Sequence, residues 1–401
     1  MTFNDVVGRI ANVNDIQRQL APLLRSAAAR FPAIVLTGPR RAGKTWLLRH
    51  LFQEAEYVLL EDPDVAARAT EDPRGFLDGF GGPVILDEIQ RAPELFRYVR
   101  TCADMHSECK GVWILTGSQE AALMRGVTES MAGRAAVFRL LPVSLGEDPA
   151  VSELHGGFPE VLADVESSDI WFSSYVQTYL ERDVRDILAV RNLATFRRFL
   201  GILATRHGQM LNKADLAAPL GVSVPTMTQW LNVLETSGIA LFVPPYYENV
   251  GKRLVKKPKF YFADSGLVCH LLRIRTERDL RESPFAGAVF EGFIATEIVK
   301  SQINRGFSPE LYYFRDEQGL EVDFVVPGVG GSLSLYECKS SRTVVPDMAR
   351  PAVRLSEALK KHGPDGRTVD AAVIYKPSSE TPPDIGLLPG VRAVDYRRFR
   401  L

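Results

Sequence analysis

The chain has 401 residues, with 48 lysine plus arginine against 49 aspartate plus glutamate and a formal charge of -1. That length exceeds one ordinary hydrophobic core, so two or three domains are expected, and the balanced charge excludes an overall field that gathers polyanions, so any nucleic-acid surface must be local. An apolar fraction of 46% with 24% charged residues excludes a disordered chain.

No uninterrupted apolar run is long enough to span a bilayer, so a cytoplasmic protein without a membrane partner is expected. Cys102, Cys109, Cys269 and Cys338 form no CxxC pair, and the histidines show no ligand spacing. A zinc site or a disulfide framework is therefore not expected, and the cysteines read as reduced packing residues.

Residues 33–37 are a continuous apolar, β-branched run, the pattern of a strand buried on both faces of a parallel sheet. The run leads into Gly38, Pro39, Arg40, Arg41, Ala42, Gly43, Lys44 and Thr45, and then into helically spaced apolar residues from Trp46. Strand, glycine loop and helix in that order match a Walker A motif, because successive backbone N–H groups and a helix N-terminus must converge on phosphate oxygens. Residues 38–46 are thus the expected ATP-binding set, with Lys44 on the β- and γ-phosphates and Thr45 on Mg2+.

A strand is expected at 57–60, and a second buried run, 83–86, ends in Asp87 and Glu88, as a Walker B strand does. Asp87 is expected to orient Mg2+ and Glu88 to polarise the attacking water. The next apolar run, 112–119, should place its tip between the other two. Ser118 is the candidate sensor of the γ-phosphate, with Gln119 and Thr116 as substitutes. With a strand at 136–141, five strands alternate with helical stretches in an α/β sheet of the doubly wound kind, its active edge at the strand ends.

Residues 38–45, 86–90, 115–119, 133–142, 156–160 and 179–184 together resemble a prokaryotic P-loop ATPase family. In that family an AAA-type core is joined to a C-terminal domain of unknown function, and the resemblance spans nearly the whole chain. It implies an ATPase whose site is completed by an arginine, often from a neighbouring subunit of a homo-oligomer, because a fixed guanidinium stabilises the charge spread over the transition state. Arg134, Arg182 and Arg185 are the candidates, the last two on a helix expected over 170–189.

Between 212 and 246 the pattern changes to helices at 213–220 and 224–236. Ala217, Gly221 and Met227 fall where a helix-turn-helix needs a close contact, a tight turn and a core residue. Ser223 is the expected N-cap and Pro225 supports the first turn. The outward residues Thr226, Gln229 and Asn232 are not basic. The run 252–259, with lysines including Lys256, Lys257 and Lys259, reads as a basic wing whose returning strand follows, a local phosphate-binding surface. The same pattern suits a winged helix kept as a scaffold.

A well-buried helix is expected over 285–302, with Glu291 needing a partner or a metal. Strands at 311–315 and 320–326 pair as a hairpin, with Leu320, Val322, Phe324 and Val326 on one face and Glu321 and Asp323 on the other. A third strand at 332–340 puts Glu337 and Lys339 on a common face. Residues 290–291, 321–324 and 337–339 resemble the PD-(D/E)XK nuclease fold. The resemblance implies Asp323 and Glu337 holding Mg2+, Glu291 positioning it, and Lys339 orienting water or stabilising phosphorane charge. No glutamine motif follows Lys339, and an inactive module held by a Lys–carboxylate network fits the same residues.

The expected organisation is an AAA+ P-loop core at 1–148, a helical lid at 149–200, a winged helix-turn-helix at 201–270 and a nuclease-like α/β domain at 271–401. The expected function is ATP hydrolysis, with ATP and Mg2+, coupled to DNA binding and, if the C-terminal site is active, to Mg2+-dependent DNA cleavage. The alternative is a regulatory ATPase switch whose C-terminal modules bind protein partners.

Overall fold

The apolar run before the glycine loop becomes an inner strand of the first sheet. In the computed structural model, which describes residues 16–106, 108–118, 126–127, 131–180, 193–247, 257–362, 367–377 and 384–400, β1 (Ala33–Thr37) is buried along its whole length. Around it lie α1 (Ala21–Ala28), α2 (Lys44–Leu51), β2 (Glu56–Leu59), α3 (Pro63–Glu71), α4 (Pro73–Asp78), β3 (Val84–Asp87), α5 (Leu95–Met105), β4 (Trp113–Thr116) and β5 (Ala135–Arg139). The strands run parallel in the order β2-β3-β4-β1-β5. β4 therefore stands between β3 and β1, and all five C-terminal ends share one edge. Apolar residues of the sheet pack into helices on both faces, one core around Leu95, Phe96 and Val99 and the other around Leu20, Leu24 and Leu47.

The middle of the chain is helical: α6 (Pro159–Ala163), α7 (Ser168–Tyr175), α8 (Leu193–Ala204), α9 (Lys213–Ala217) and α10 (Val224–Thr236), with β6 (Gln209–Met210), β7 (Ala240–Val243) and β8 (Lys259–Phe262) forming a sheet in the order β6-β8-β7. The helix expected over 170–189 starts at Ser168 and passes into a π-helical turn, Val176–Leu180; residues 181–192, with Arg182 and Arg185, lie outside the described residues. α10 begins as its sequence dictates: the Ser223 side chain accepts from Thr226 N at 3.2 Å, Pro225 occupies the first turn, and Gly221 takes a left-handed φ of 64°. Phe196, Phe199, Met227, Trp230 and Phe262 share one core that reaches from Leu154 to Val289.

The remainder comprises α11 (Ser265–Leu271), α12 (Glu277–Glu282), α13 (Ala286–Asn304), β9 (Tyr312–Arg315), β10 (Glu321–Pro327), β11 (Leu333–Lys339), α14 (Arg350–His362), β12 (Val369–Tyr375), β13 (Asp384–Leu388) and β14 (Val391–Asp395). The six strands lie in the order β13-β14-β12-β11-β10-β9. β11, β12 and β14 run parallel, while β9, β10 and β13 join antiparallel. The β9–β10 turn closes on the Asp316 carboxylate, which accepts from Gln318 N and Leu320 N at 2.9 Å each.

One expectation for β10 is corrected. The pairing register with β9 shifts between Val322 and Val325, a bulge that opens at Asp323. Val322 therefore packs with Val325 under α14, whereas Phe324 and Val326 face α13 and β8. An extra residue breaks the period of two and re-aims the side chains around it, so the apolar set read as one face is divided between two cores.

Candidate functional site

At the shared C-terminal edge of the parallel sheet, the loop between β1 and α2 needs backbone shapes that ordinary residues avoid. Gly38 has φ 138° and Gly43 φ 92°; a Cβ on Gly38 would fall 2.0 Å from the Leu140 carbonyl oxygen. Only glycine lets the loop pass so close to the strand beside it. The Lys44 Nζ, almost fully buried, donates to the Gly38 and Pro39 carbonyls at 2.8 and 2.9 Å, curled inside the loop whose amides would meet phosphate.

The β3 carboxylates lie beside it. Asp87 Oδ2 accepts from Thr45 Oγ1 at 2.7 Å and from the Tyr57 hydroxyl at 2.9 Å, and Asp87 Oδ1 accepts from Glu88 N at 3.0 Å. Burial, then the Asp87 charge, pushes the Tyr57 phenol up, so it remains a donor. Among the described residues, Asp87 is thus satisfied by hydroxyls and an amide and not by a cation. That donor set fits Mg2+, which takes oxygen ligands and retains water; Thr45 and Asp87 would hold it. Glu88 holds a left-handed backbone, φ 56° and ψ 43°, a conformation kept only where the surroundings enforce it. Its Oε2 accepts from Ser118 Oγ at 3.0 Å and from the Gln90 amide. Ser118 therefore stands at the β4 tip as expected but grips Glu88. Thr116 is wholly buried, and Gln119 lies outside the described residues.

These groups border a cavity of about 490 Å³ lined by Arg40, Arg41, Gly43, Lys44, Thr45, Trp46 and Glu88, and also by Arg18, Glu61, Val143, Pro159 and Glu160. The volume suits a small-molecule ligand. Arg18 is buried: it donates to Ala42 O at 2.9 Å, to Leu141 O at 2.6 Å and to Glu147 Oε1 at 3.0 Å. It thereby fixes the loop to the segment after β5. Burial would raise the Glu147 carboxyl, but Arg18 and the amides of Ser144 and Gln19 together outweigh it and hold the group below its usual value. Arg41 reaches Glu160 at 3.0 Å across the cavity mouth. Arg134 precedes β5, at the opposite edge of the sheet, where Asp104 takes its guanidinium at 2.5 and 3.0 Å. Parallel strands carry only their C-terminal ends to the cavity, so Arg134 does not reach its own chain's site.

Comparison with known proteins matches residues 30–148 to a model described as an AAA domain. Residues 152–278 and 286–383 match two domains of unknown function, DUF8612 and DUF4143. Two curated relatives, the uncharacterized proteins Rv2008c of Mycobacterium tuberculosis and Mb2031c of Mycobacterium bovis, are each 32% identical over 342 residues, 83% of this chain and 76% of theirs. The chain belongs to their family. Residues 30–148 are an AAA-type ATPase domain. Among solved structures, the Walker-type ATPase PABY2304 of Pyrococcus abyssi is 16% identical, covering 64% of this chain and 95% of that one at a TM-score of 0.44. The RuvB Holliday junction branch migration motor of Thermotoga maritima is 18% identical, covering 57% and 90% at a TM-score of 0.30.

In this AAA-domain protein the chain beyond the ATPase core is clasped to it. A Cβ on Gly238, the left-handed turn after α10, would lie 3.0 Å from the Pro39 ring and 3.2 Å from Arg139 Nη2, so the end of α10 abuts the phosphate loop. On α13, Lys300 Nζ donates to Val143 O at 3.0 Å and Glu297 accepts from Leu145 N at 2.7 Å. His207 is buried and accepts from Phe262 N at 3.1 Å; burial pushes it down to about 3, so it stays neutral.

Further along α13, Glu291 meets the other expected residues. Asp323 Oδ2 accepts from Cys338 N at 2.8 Å and lies 3.7 Å from Lys339 Nζ, which in turn bonds Glu337 at 2.7 Å. Lys259, read from the sequence as part of an exposed basic wing, is instead 4% exposed and joins this centre. Its Nζ lies 2.9 Å from Glu291, 2.7 Å from Glu321 and 4.0 Å from Asp323. Tyr261, two residues on and on the same face of β8, donates to Glu291 at 2.5 Å. Burial, then repulsion from Asp323, raises Glu291 to about 7 and Glu337 to about 8. Burial alone would lower Lys259, but the charges of Glu291, Asp323 and Glu321 outweigh it and raise the ammonium. Residues 252–256 of the expected wing lie outside the described residues. Of the cysteines, Cys109 is exposed and not a packing residue.

Proposed function

We propose that the chain hydrolyses ATP at residues 38–46 and couples that turnover to DNA engaged by its C-terminal half. Lys44 would exchange the loop carbonyls for phosphate oxygens. Mg2+, held by Thr45 and Asp87, supplies charge neutralisation at the phosphates. Glu88, released from Ser118 and Gln90, would orient water. The observation that carries the reading is the cavity lined by Lys44, Thr45 and Glu88, with Asp87 bonded to Thr45 and Ser118 to Glu88 behind it.

The coupling to distant parts rests on the Gly238 turn against Pro39 and on the α13 clasp of Val143 and Leu145. The helix-turn-helix pattern at 212–236 with its three-stranded sheet supports a winged helix, and the carboxylates on β10 and β11 support a nuclease-like sheet. We take the units as 1–148, 149–200, 201–270 and 271–401, assembled as a homo-oligomer in which a neighbour's arginine completes the ATP site. ATPase assays with and without single-stranded, duplex and branched DNA test this: DNA should raise turnover in the wild type and not in Lys44→Ala. Failure to bind DNA at low salt would sink the DNA half of the proposal.

A second reading is a regulatory ATPase switch with a protein partner. It is favoured by α10, whose exposed Gln229 and Asn232 are uncharged, a poor face for phosphate. A stable protein complex that forms in one nucleotide state, with no DNA stimulation, would select it.

A further inference from the structure

The resemblance to PD-(D/E)XK nucleases implies a divalent cation among Glu291, Asp323 and Glu337. These residues do not fit one. Among the described residues, no three His, Cys, Asp or Glu side chains are arranged to share an ion. The carboxyl groups instead surround two ammonium groups: Lys259 faces Glu291, Glu321 and Asp323, and Lys339 faces Glu337 and Asp323. Mg2+ demands near-octahedral oxygens at about 2.0–2.1 Å, and an ammonium bonded to the same oxygens repels it.

We infer that Lys259 takes the place of that cation, so that the centre is neutralised by the chain itself and takes no divalent metal. The ammonium cannot easily swing aside. Its strand, β8, is the middle of three, with Lys259 paired to Met210 on one side and Val243 on the other. The stem is buried and the charge lies 5.4 Å from the centre of the Tyr313 ring. Expelling it would strand a positive charge among apolar side chains, which is costlier than keeping it paired. The backbone around it is also fixed: Tyr246 N donates to Tyr313 O at 2.7 Å and Tyr313 N to Pro244 O at 3.1 Å, so the segment after β7 pairs with the first strand of the six-stranded sheet. Lys259 is thus a joint between two sheets as well as a counter-ion. Arg315 adds a further positive charge to the centre, its Nη1 3.2 Å from Glu321.

The inference deepens the nuclease-like reading of the C-terminal sheet, and its test involves neither nucleotide nor DNA, so it fails separately from that reading. Mn2+ uptake by the nucleotide-free full chain is measured by electron paramagnetic resonance near neutral pH. Wild type and Asp323→Asn should take up the same Mn2+. Lys259→Met should take up an additional equivalent per chain, which a second change, Glu337→Gln, removes; Lys259→Arg should behave as wild type. If wild type holds an equivalent that Asp323→Asn lacks, or if folded Lys259→Met gains none, the inference is overturned. Should Lys259→Met not fold, the comparison of wild type with Asp323→Asn decides alone: equal uptake upholds the inference and a deficit in the variant overturns it.

Discussion

The chain contains two acidic centres beside lysines, and they are built in opposite ways. At the edge of the parallel sheet, Lys44 donates to loop carbonyls, while among the described residues Asp87 accepts from Thr45, Tyr57 and a backbone amide. Those hydroxyls and that amide leave the Asp87 oxygens suited to magnesium. On the six-stranded sheet, Lys259 and Lys339 are bonded to the carboxylates themselves. The lesson is that carboxylates at strand ends define a metal site only when the chain does not already provide their counter-charge.

Breaking each centre should have a different signature. Lys44→Ala has the largest expected effect: ATP turnover should fall about 1000-fold or more, since losing even one fixed donor to developing charge costs roughly 100–1000-fold. A steady-state assay within tenfold of wild type would refute the assignment of the phosphate loop. Lys259→Met should act on stability instead, costing about 3–5 kcal/mol because it leaves buried carboxylates without their partner. Urea unfolding followed by tryptophan fluorescence reads it, and a cost under about 1 kcal/mol would argue that Lys259 is not the counter-ion. Glu88→Gln should lower turnover about 100-fold by removing the water-orienting base while nucleotide affinity, measured by calorimetry, stays unchanged.

A pH series sharpens the contrast further. Glu291 and Glu337 are raised in the folded state, to about 7 and about 8, so the native chain binds more protons than the unfolded one above the ordinary carboxyl range. The stability they contribute is present below about pH 4.5 and lost as pH rises through about 8, on the order of 1 kcal/mol per pH unit. Urea midpoints should decline over that window, and Glu337→Gln should flatten the decline. An unchanged slope would place these protons elsewhere. The smallest effect is expected for Gly238→Ala, roughly 1–2 kcal/mol for a left-handed position, with a shift in the KM for ATP because the added methyl presses on Pro39. An unaltered KM would deny that this contact reports to the nucleotide.

The two centres also differ in how far they could be read from sequence. The phosphate loop and the Asp87–Glu88 pair were legible because strand, loop and helix are contiguous, and a fixed spacing can be satisfied by few other structures. The position of β4 followed from its apolar run. Arg18, Tyr57 and Glu160 were not legible as site residues: Arg18 and Glu160 reach the cavity, and Tyr57 reaches Asp87, from distant segments, and nothing local distinguishes a buried arginine from a solvated one. On the second sheet, Glu291, Asp323, Glu337 and Lys339 were brought together as their alternation suggested, yet the bulge at Asp323 divided an apolar face that a strict period of two kept whole. Lys259 was misplaced because a run of lysines before an aromatic strand has the composition of a solvent-exposed hairpin. Which lysine turns inward is decided by a helix glutamate and a strand that come later in the chain. Strands β12 to β14 carried no motif and were not anticipated at all.

One helix ties these regions together. α13 carries Glu291 into the lysine-neutralised centre and, about two turns later, presents Glu297 and Lys300 to the backbone that borders the nucleotide cavity. An α-helix advances about 1.5 Å and turns about 100° per residue, so inserting a single residue between positions 291 and 297 would rotate one set of contacts away from its target whenever the other is kept. The spacing along this rod is therefore a length standard: residues 288–304 are all buried or half-buried, and a change in residue count would break one set of contacts in one step.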